Sequence, residues 1–464
     1  MAPQELHRFH EVPPQPPSPI RSHLHSQNRP PHLHLHRIPR PGLQSLNPTR
    51  PHLRQPPITT GRGPKQNTIS AANYGPTWRL LRRNLVTETL HPARVKSFSQ
   101  SRKRVLQDLI NKLKIESKSR DDHAVRVVDH FRHATLGSLL SMCFGENIVN
   151  DQEEDVIKNV DKMMRDALVS SSSRFSVLVF FPRLSKTLFP NMWAKLEEAK
   201  TSREIVLGPL IKSRALENNN NNNYNNNGNV ACYVDSLLNL SIPEEGGRKL
   251  GESEIIGLCS EFLNAGADST ATALQWIMAN LVKHQDVQDK VFEEIKRVVR
   301  DDEEGIIREE DLEKMTYLKA VVLEGLRRHP PVHVPIPHAV TDDVTLEGHL
   351  VPTDASVVFL IAEMGWDPAV WDRPMEFDPG RFVDGGMGGV DISGNRGIKM
   401  MPFGAGRRIC PGVALSMLHL EYFVANLVWE FKWTAREREE VDLEEKQEFT
   451  VTMKCPLYAR LSPR

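Results

Sequence analysis

The sequence predicts a mainly α-helical protein with a small β region, and three observations support this fold class. The stretch from Glu252 to Lys283 is the longest helical candidate, and its apolar residues leave almost no polar face, as in a helix buried inside a large protein. Residues 90–216 carry several amphipathic helical patterns separated by polar joints. Short strand patterns follow later in the chain, at Val344–Leu346, His349–Val351 and Ser356–Ile361.

The overall composition is that of a globular protein. Of its 464 residues 39% are hydrophobic, which is enough apolar material for a large core, and the formal net charge is zero. The five cysteines are scattered, which argues against a disulfide framework and indicates a reducing compartment. The sequence has no run of about 18 apolar residues and no signal-peptide core, so we expect no membrane-spanning helix.

Two segments have a low-complexity composition. Residues 1–65 contain fifteen prolines, eight histidines and eight arginines, and no acidic residue follows Glu11 until Glu88. We expect this segment to be disordered and residues 66–464 to form the folded domain. Zinc binding by the His-x-His runs is a weaker alternative, and because aromatic residues for stacking are nearly absent we expect no nucleic-acid partner. The asparagine tract at 218–229 predicts a flexible surface loop.

Helical spacing brings polar residues together at two places. Trp78 and Arg82 lie four residues apart in a helical stretch, so they share one face of that helix. Glu324 and Arg327 are i,i+3 neighbours near the end of a later helical pattern, and they can form an ion pair. These patterns are common when taken singly, so their meaning depends on the motifs around them.

An acidic residue interrupts the long apolar helix. Asp268 is followed by Ser269 and Thr270, and two small residues, Ala265 and Gly266, come just before it. A buried acid costs several kcal/mol, roughly 2–7 for a neutral polar group and more for a charge, unless it is paired or used chemically. We therefore expect a functional site here, at which the small residues let a ligand approach the backbone. Close packing between helices is the structural alternative.

Cys410 lies in a glycine-rich loop that leads into a helical pattern. Gly404 and Gly406 permit a tight turn, and Pro411 is suited to the first turn of a helix. A cysteine at a helix N-terminus is favoured as thiolate. The sulfur is suited to bind a metal, and the nearby guanidinium of Arg408 is suited to a carboxylate of an anionic cofactor. A small buried apolar cysteine is the alternative.

The loop resembles the haem-binding signature of the cytochrome P-450 family, F-x-x-G-x-R-x-C-x-G. The matching residues are Phe403, Gly406, Arg408, Cys410 and Gly412. The chain is most similar to subfamily 89A of the plant A-type branch, as judged from Tyr74–Arg83 and Glu261–Gly266. The resemblance extends from Gln66 to the C-terminus. It implies a cytochrome P-450 fold, here without recognisable N-terminal strands and first helices.

The resemblance implies haem b as cofactor, with Cys410 as the axial thiolate ligand of the iron, which favours cleavage of the O–O bond. Further cofactor-binding roles fall on Trp78, Arg82, His338, Phe403, Arg408 and Gly412. Four of these residues are expected to hold the haem propionates: Trp78, Arg82, His338 and Arg408.

In the family, the segment that contains Asp268 lines the oxygen site and relays protons. The resemblance therefore implies catalytic roles for Asp268, Ser269 and Thr270. Ser269 stands where the family has threonine, and its rotamer is freer without the β-branch, so oxygen cleavage is expected to be coupled less tightly to substrate oxidation.

A second cluster implied by the resemblance is structural. Arg381 is expected to complete a Glu-Arg-Arg cluster with Glu324 and Arg327 behind the haem loop. Gly380 stands where the family prefers glutamate.

Two segments are expected to contact the substrate. The resemblance places residues 334–338 next to the substrate. The tail segments Glu448–Lys454 and Leu457–Leu461 predict a closing hairpin whose tip reaches it.

The implied activity is that of a monooxygenase in plant secondary metabolism, which inserts one oxygen atom from O2 into a small apolar organic substrate. With no flavin or dinucleotide motif in the sequence, electrons are expected from a separate NADPH–cytochrome P-450 reductase. By resemblance the protein belongs on the cytosolic face of the endoplasmic reticulum membrane, although the missing anchor leaves a soluble cytosolic protein open. A degenerate haem-binding remnant and an O2-independent haem-thiolate isomerase or dehydratase are the alternative functions.

Overall fold

The structure is a computed structural model. It describes residues 33–35, 53–55, 67–120, 122–146, 153–170, 182–220, 231–299, 306–346, 348–353, 355–383, 390–392 and 397–464.

Helices form most of the part of the chain that the structure describes, which confirms the predicted fold class. In chain order they are α1 (Pro76–Glu88), α2 (Pro92–Ser97), α3 (Ser99–Ser119), α4 (Val127–Phe144), α5 (Glu153–Ser170), α6 (Pro182–Leu188), α7 (Pro190–Asn220), α8 (Tyr233–Asn239), α9 (Glu252–Lys283), α10 (Gln285–Val298), α11 (Thr316–Arg328), α12 (Ile361–Gly365) and α13 (Val413–Glu430). Helix α9 has the bounds that its apolar pattern predicted.

Helix α9 runs through two apolar clusters. Its N-terminal half, up to Ala267, packs with α4, α7 and α8, and its C-terminal half, from Ala271, packs with α10, α11 and α13. A Cβ atom added at Gly266 would lie 2.7 Å from the side chain of Leu139, so this glycine allows α4 to approach closely. Asp268 therefore lies where the two clusters meet.

The strands are short and form several small sheets. They are β1 (Leu33–Leu35), β2 (Leu53–Gln55), β3 (Ala124–Arg126), β4 (Ser241–Ile242), β5 (Arg248–Lys249), β6 (His338–Val340), β7 (Val344–Leu346), β8 (His349–Val351), β9 (Ser356–Val358), β10 (Phe431–Ala435), β11 (Glu445–Gln447), β12 (Val451–Met453) and β13 (Tyr458–Pro463). The largest sheet has the order β1-β9-β6-β2, and β10-β13-β3 form a second sheet. Strands β7 and β8 pair with each other as an antiparallel hairpin.

The N-terminal segment contributes two strands to the largest sheet. Strand β1 pairs in parallel with β9, where Leu33 lies opposite Ser356. Strand β2 pairs with β6, where Leu53 lies opposite Val340. The sequence showed no recognisable N-terminal strands, so these two pairings are a correction to that expectation. Strand pairing is made by main-chain groups, so the composition of residues 1–65 does not reveal it. The rest of that segment, and the asparagine tract from 221 to 229, lie outside the described residues.

The predicted tail hairpin does not form. Strand β12, within the segment Glu448–Lys454, pairs instead with β11, which precedes it. Strand β13 pairs with β10 and β3. Both strands thus have other partners than the sequence suggested, because the alternation of apolar residues does not specify which strand is the neighbour.

Among the described residues, none of the helices combines the length and the apolar composition needed to cross a membrane.

Candidate functional site

The cysteine loop is a compact turn immediately before α13. The amide of Cys410 donates a hydrogen bond to the carbonyl oxygen of Phe403 at 2.9 Å and closes the turn. Gly404 and Gly406 have φ angles of +72° and +71°, in the left-handed region that favours glycine. The amide of Gly412 donates to the Cys410 sulfur at 3.3 Å. The loop thus presents a single sulfur at the start of a helix.

The ionisation of Cys410 reflects two opposing effects. Burial raises the pKa of the Cys410 thiol, while the Gly412 amide and the positive charge of Arg82 act in the opposite direction. The position of Cys410 at a helix N-terminus is therefore not enough by itself to favour the thiolate, contrary to the expectation from the sequence. A bound metal cation would supply the missing stabilisation of the Cys410 thiolate, because metal binding displaces the thiol proton.

Two arginines, one from α1 and one from the cysteine loop, converge on the ring of Trp78 in α1. The Cζ atoms of Arg82 and Arg408 lie 5.5 Å and 4.9 Å from the centroid of this ring. Trp78 Nε1 donates to the carbonyl oxygen of Ile69 at 2.9 Å. Arg82 donates to the carbonyl oxygen of Ile409 at 2.6 Å, next to the cysteine. The predicted pair on one face of α1 is therefore in contact with the cysteine loop.

A turn at Ile69 closes this arrangement from the other side. The amides of Ile69 and Ser70 donate to the carboxylate of Glu261, at 2.8 Å and 2.6 Å. Arg408 donates to the carbonyl oxygen of Ala72 at 2.8 Å. Glu261 belongs to α9, so the turn joins the long helix to the arginines beside Cys410.

The polar groups here fit a buried anionic cofactor. Burial and the charge of Arg82 lower the pKa of Arg408 to about 10. Burial and the charge of Arg408 lower the pKa of His338 to about 4. Among the described residues, His338 Nδ1 is buried and has no hydrogen-bond partner. Two confined guanidinium groups and an unsatisfied ring nitrogen favour carboxylates between them, and haem carries two propionates.

Asp268 has two partners from outside its own helix. Arg132 of α4 donates to Oδ1, and its Nε donates to Asp161 of α5. Thr450, at the tip of the β11–β12 hairpin, donates to Oδ2 at 2.7 Å. The carboxylate is buried, so the ion pair with Arg132 offsets the cost of removing it from water.

The neighbouring hydroxyls take different positions. Ser269 donates to the carbonyl oxygen of Ala265 at 2.6 Å and is only partly buried. Thr270 is buried within the packed part of the helix. The structure thus places Ser269 next to the exposed Ala265, and it gives Asp268 and Ser269 separate hydrogen bonds.

The Glu324–Arg327–Arg381 cluster assembles in the structure. Arg327 donates twice to the carboxylate of Glu324, at 2.7 Å and 2.8 Å, and both side chains are fully buried. Arg381 lies 3.4 Å from Glu324 Oε1. Arg327 also donates to the carbonyl oxygen of Pro374 at 2.7 Å, so the cluster ties α11 to the segment that follows α12.

Three apolar side chains in the segments expected to contact the substrate are exposed. Val334 and Ile336 are 42% and 55% exposed, and Phe449, at the hairpin tip, is 57% exposed. The amide of Val451 donates to the carbonyl oxygen of Pro331 at 2.8 Å, which holds the hairpin tip beside Pro331, three residues before Val334. These exposed apolar side chains are suited to contact an apolar ligand.

Comparison with known proteins decides the family, since the family model for cytochrome P450 matches residues 47–459. The chain belongs to the cytochrome P450 family. It is 48% identical over 408 residues to cytochrome P450 89A9 of Arabidopsis thaliana, covering 86% of this chain and 77% of that protein. It is 27% identical over 386 residues to tabersonine 16-hydroxylase 1 of Catharanthus roseus, covering 83% and 73%. Identity to pluviatolide synthase of Podophyllum peltatum is 28% over 403 residues, covering 86% and 76%.

Membership makes the protein a cytochrome P450 monooxygenase with haem as cofactor and a cysteine thiolate as ligand. The similarity to 89A9 supports a place near subfamily 89A among plant enzymes of secondary metabolism. The family match begins at residue 47 rather than Gln66, and so it includes strand β2.

Sequence reasoning missed three residues of the site: Arg132, Glu261 and Thr450. Arg132 lies beside other polar residues of α4, including Asp129 and His130, so its local sequence does not mark it as the partner of a buried acid. No local signal marks Thr450 either, because its partner Asp268 is 182 residues away in the chain.

Proposed function

We propose that this P450 inserts one oxygen atom from O2 into a small apolar organic substrate, with electrons from a separate NADPH–cytochrome P450 reductase. The net reaction is RH + O2 + NADPH + H+ → ROH + H2O + NADP+. The observation that carries the proposal is the convergence of Arg82 and Arg408 on Trp78 beside the Cys410 loop, together with the unsatisfied His338, which feels the charge of Arg408.

Four residues would hold the cofactor in this proposal. Cys410 would bind the iron, Arg82 and Arg408 would bind the propionates, and His338 Nδ1 would donate a hydrogen bond to a propionate. When bound, haem supplies activation and cleavage of O2. Trp78 keeps both guanidinium groups in place by stacking and by its hydrogen bond to Ile69.

Proton supply falls to Asp268 and Ser269. Ser269 lies at the exposed side of α9, next to Ala265, where a ligand can reach its hydroxyl. Asp268 lies one residue earlier on the same helix, and its carboxylate, held by Arg132 and Thr450, would take up a proton and pass it on towards Ser269. Thr270 is buried, so in this proposal it acts indirectly and does not contact a ligand.

The electron partner is proposed to dock at the outer face of α1. Arg79 and Arg83 are exposed on the helix that also carries Arg82. Arg407 Cζ lies 5.4 Å from the ring centroid of Tyr74, in the same neighbourhood. This cationic surface lies next to the cysteine loop and suits an acidic surface of a reductase. By family resemblance we place the protein on the cytosolic face of the endoplasmic reticulum.

The proposal is tested by reconstitution of purified protein with a plant cytochrome P450 reductase, NADPH and 18O2. We expect one 18O atom in an oxidised product of an apolar probe, beginning with 7-ethoxycoumarin and extending to a panel of aromatic compounds. Matching consumption of NADPH is the second expected result. An intact thiolate-type spectrum of the reduced CO complex without any NADPH-dependent oxygenation across the panel would contradict the proposed activity.

A further inference from the structure

The hairpin formed by β11 and β12 is anchored to the long helix α9 at its tip. Trp276 Nε1 donates to the carbonyl oxygen of Val451 at 2.7 Å. Thr272 Oγ1 donates to Thr450 Oγ1 at 3.3 Å, and Thr450 donates to Asp268 Oδ2 at 2.7 Å. Asp268 and Thr272 are one helical turn apart, so the hydroxyl of Thr450 lies between two side chains of the same helix face.

The direction of these hydrogen bonds is determined by the chemistry of the groups. An ionised carboxylate only accepts hydrogen bonds, so Thr450 has to donate its single proton to Asp268. Its oxygen is then an acceptor, and Thr272 supplies the donor. The result is an ordered chain from Thr272 through Thr450 to Asp268, and Arg132 donates to the other carboxylate oxygen.

The three side chains of this hydrogen-bonded chain are shielded from water. Thr450, Thr272 and Asp268 are 2%, 5% and 8% exposed. A charge-assisted hydrogen bond in such a place is stronger than a neutral one, and its loss leaves a carboxylate oxygen without a partner. Glu445 at the base of the same hairpin accepts from His329 Nδ1 at 2.9 Å, which holds the hairpin at a second point.

We propose that Thr450 is a positioning residue for the oxygen-site acid: its hydroxyl holds the Asp268 carboxylate in the orientation from which protons are supplied. The inference rests on the proposed function and deepens it. The hairpin that exposes Phe449 at its tip therefore also orients the acid on α9. Thr450 acts through Asp268 and touches no reacting group itself.

The first test is a double-mutant cycle on the haem-loaded protein. Thr450→Val removes the hydroxyl with little change of shape, and Asp268→Asn replaces the charged acceptor by a neutral one. We expect the downward shift of the urea unfolding midpoint caused by Thr450→Val to be clearly smaller in the Asp268→Asn background. Additive shifts would overturn the inference. This test needs no turnover, so it is independent of whether the wild type oxygenates the chosen probe.

The second test measures proton supply. In reductase-supported turnover with 7-ethoxycoumarin, Thr450→Val should raise the peroxide released per NADPH by about fivefold, the factor that corresponds to one hydrogen bond of ordinary net strength. The solvent deuterium isotope effect on product formation should change as well, which a merely structural role would not cause. Thr450→Ser keeps the hydroxyl and should restore wild-type values.

Thr135→Val is the matched control. Thr135 is also a fully buried threonine at the α4–α9 contact, but its hydroxyl bonds to main-chain oxygens, including that of Ala267. This variant should lower stability and leave the peroxide ratio and the isotope effect unchanged. Equal changes in Thr135→Val and Thr450→Val, or wild-type values in Thr450→Val, would show that Thr450 is only a packing residue.

Discussion

Arg82 donates a hydrogen bond to the carbonyl oxygen of Ile409 at 2.6 Å, which joins helix α1 to the residue before Cys410, the proposed haem ligand. The same guanidinium lies over the ring of Trp78. One side chain therefore connects the proposed propionate site with the position of the sulfur. A change at Arg82 is expected to affect both the binding of haem and the geometry of the ligand loop.

Replacing Arg82 by methionine should weaken haem binding about tenfold or more, because a hydrogen bond to a charged group contributes roughly 1.5–3 kcal/mol. The measurement is haem retained per protein after dialysis, followed by the CO spectrum. Arg79→Met is the matched control, since Arg79 is an exposed arginine on the same helix. Equal haem loss in the two variants would contradict a specific role for Arg82.

Cys410→Ser should abolish the thiolate-type spectrum of the reduced CO complex, because a serine hydroxyl cannot replace the sulfur ligand. Cys259→Ser, at a buried cysteine of α9, and Cys455→Ser, at an exposed one, should retain this spectrum. The same result is expected for Cys143→Ser and Cys232→Ser. A retained thiolate spectrum in Cys410→Ser would remove the basis of the proposed site.

Asp268→Asn should leave haem bound but slow product formation by about 100- to 10,000-fold, the range that general acid–base groups contribute. More peroxide should be released per NADPH consumed. Ser269→Thr should tighten coupling or leave it unchanged, because the β-branch restricts the hydroxyl rotamer. The measurement is product, peroxide and NADPH in parallel, and wild-type turnover and coupling in Asp268→Asn would refute the relay.

Glu324→Gln should destabilise the fold by about 3–5 kcal/mol, because it leaves the buried guanidinium of Arg327 without its countercharge. The chain contains the same E-x-x-R pattern at its surface, where Glu245 and Arg248 are both more than 40% exposed. Glu245→Gln should change the free energy of unfolding by less than about 1 kcal/mol. Chemical denaturation of both variants tests this contrast, and similar losses would show that the pattern rather than burial matters.

The buried His419 is expected to make the protein less stable in acid. Burial lowers its pKa to about 3, and Ser138 Oγ lies 3.2 Å from its Nε2. Below its unfolded pKa of about 6.5, the unfolded chain binds a proton that the folded protein does not, so the free energy of unfolding falls as pH decreases towards 3, by up to about 1.4 kcal/mol per pH unit. His419→Gln should reduce this slope between pH 6 and pH 4, and an unchanged slope would exclude His419 as the cause.

Local sequence determined the position of helix α9 and the loop that presents the Cys410 sulfur. Helix α9 has its predicted bounds because its apolar surface demands burial, and the cysteine loop turns at Gly404 and Gly406 because these positions need positive φ. The motif around Cys410 was also sufficient to indicate the family. These properties depend on neighbouring residues, so they can be derived from the chain alone.

Tertiary structure decided which distant groups meet. It paired β12 with β11 rather than with the tail, and it gave β9 a partner from the N-terminal segment. It also brought Arg132 and Thr450 to the two oxygens of Asp268, from positions 136 and 182 residues away. Main-chain pairing and buried hydrogen bonds depend on proximity in space, and a side chain such as Thr450 carries no local pattern that specifies its partner.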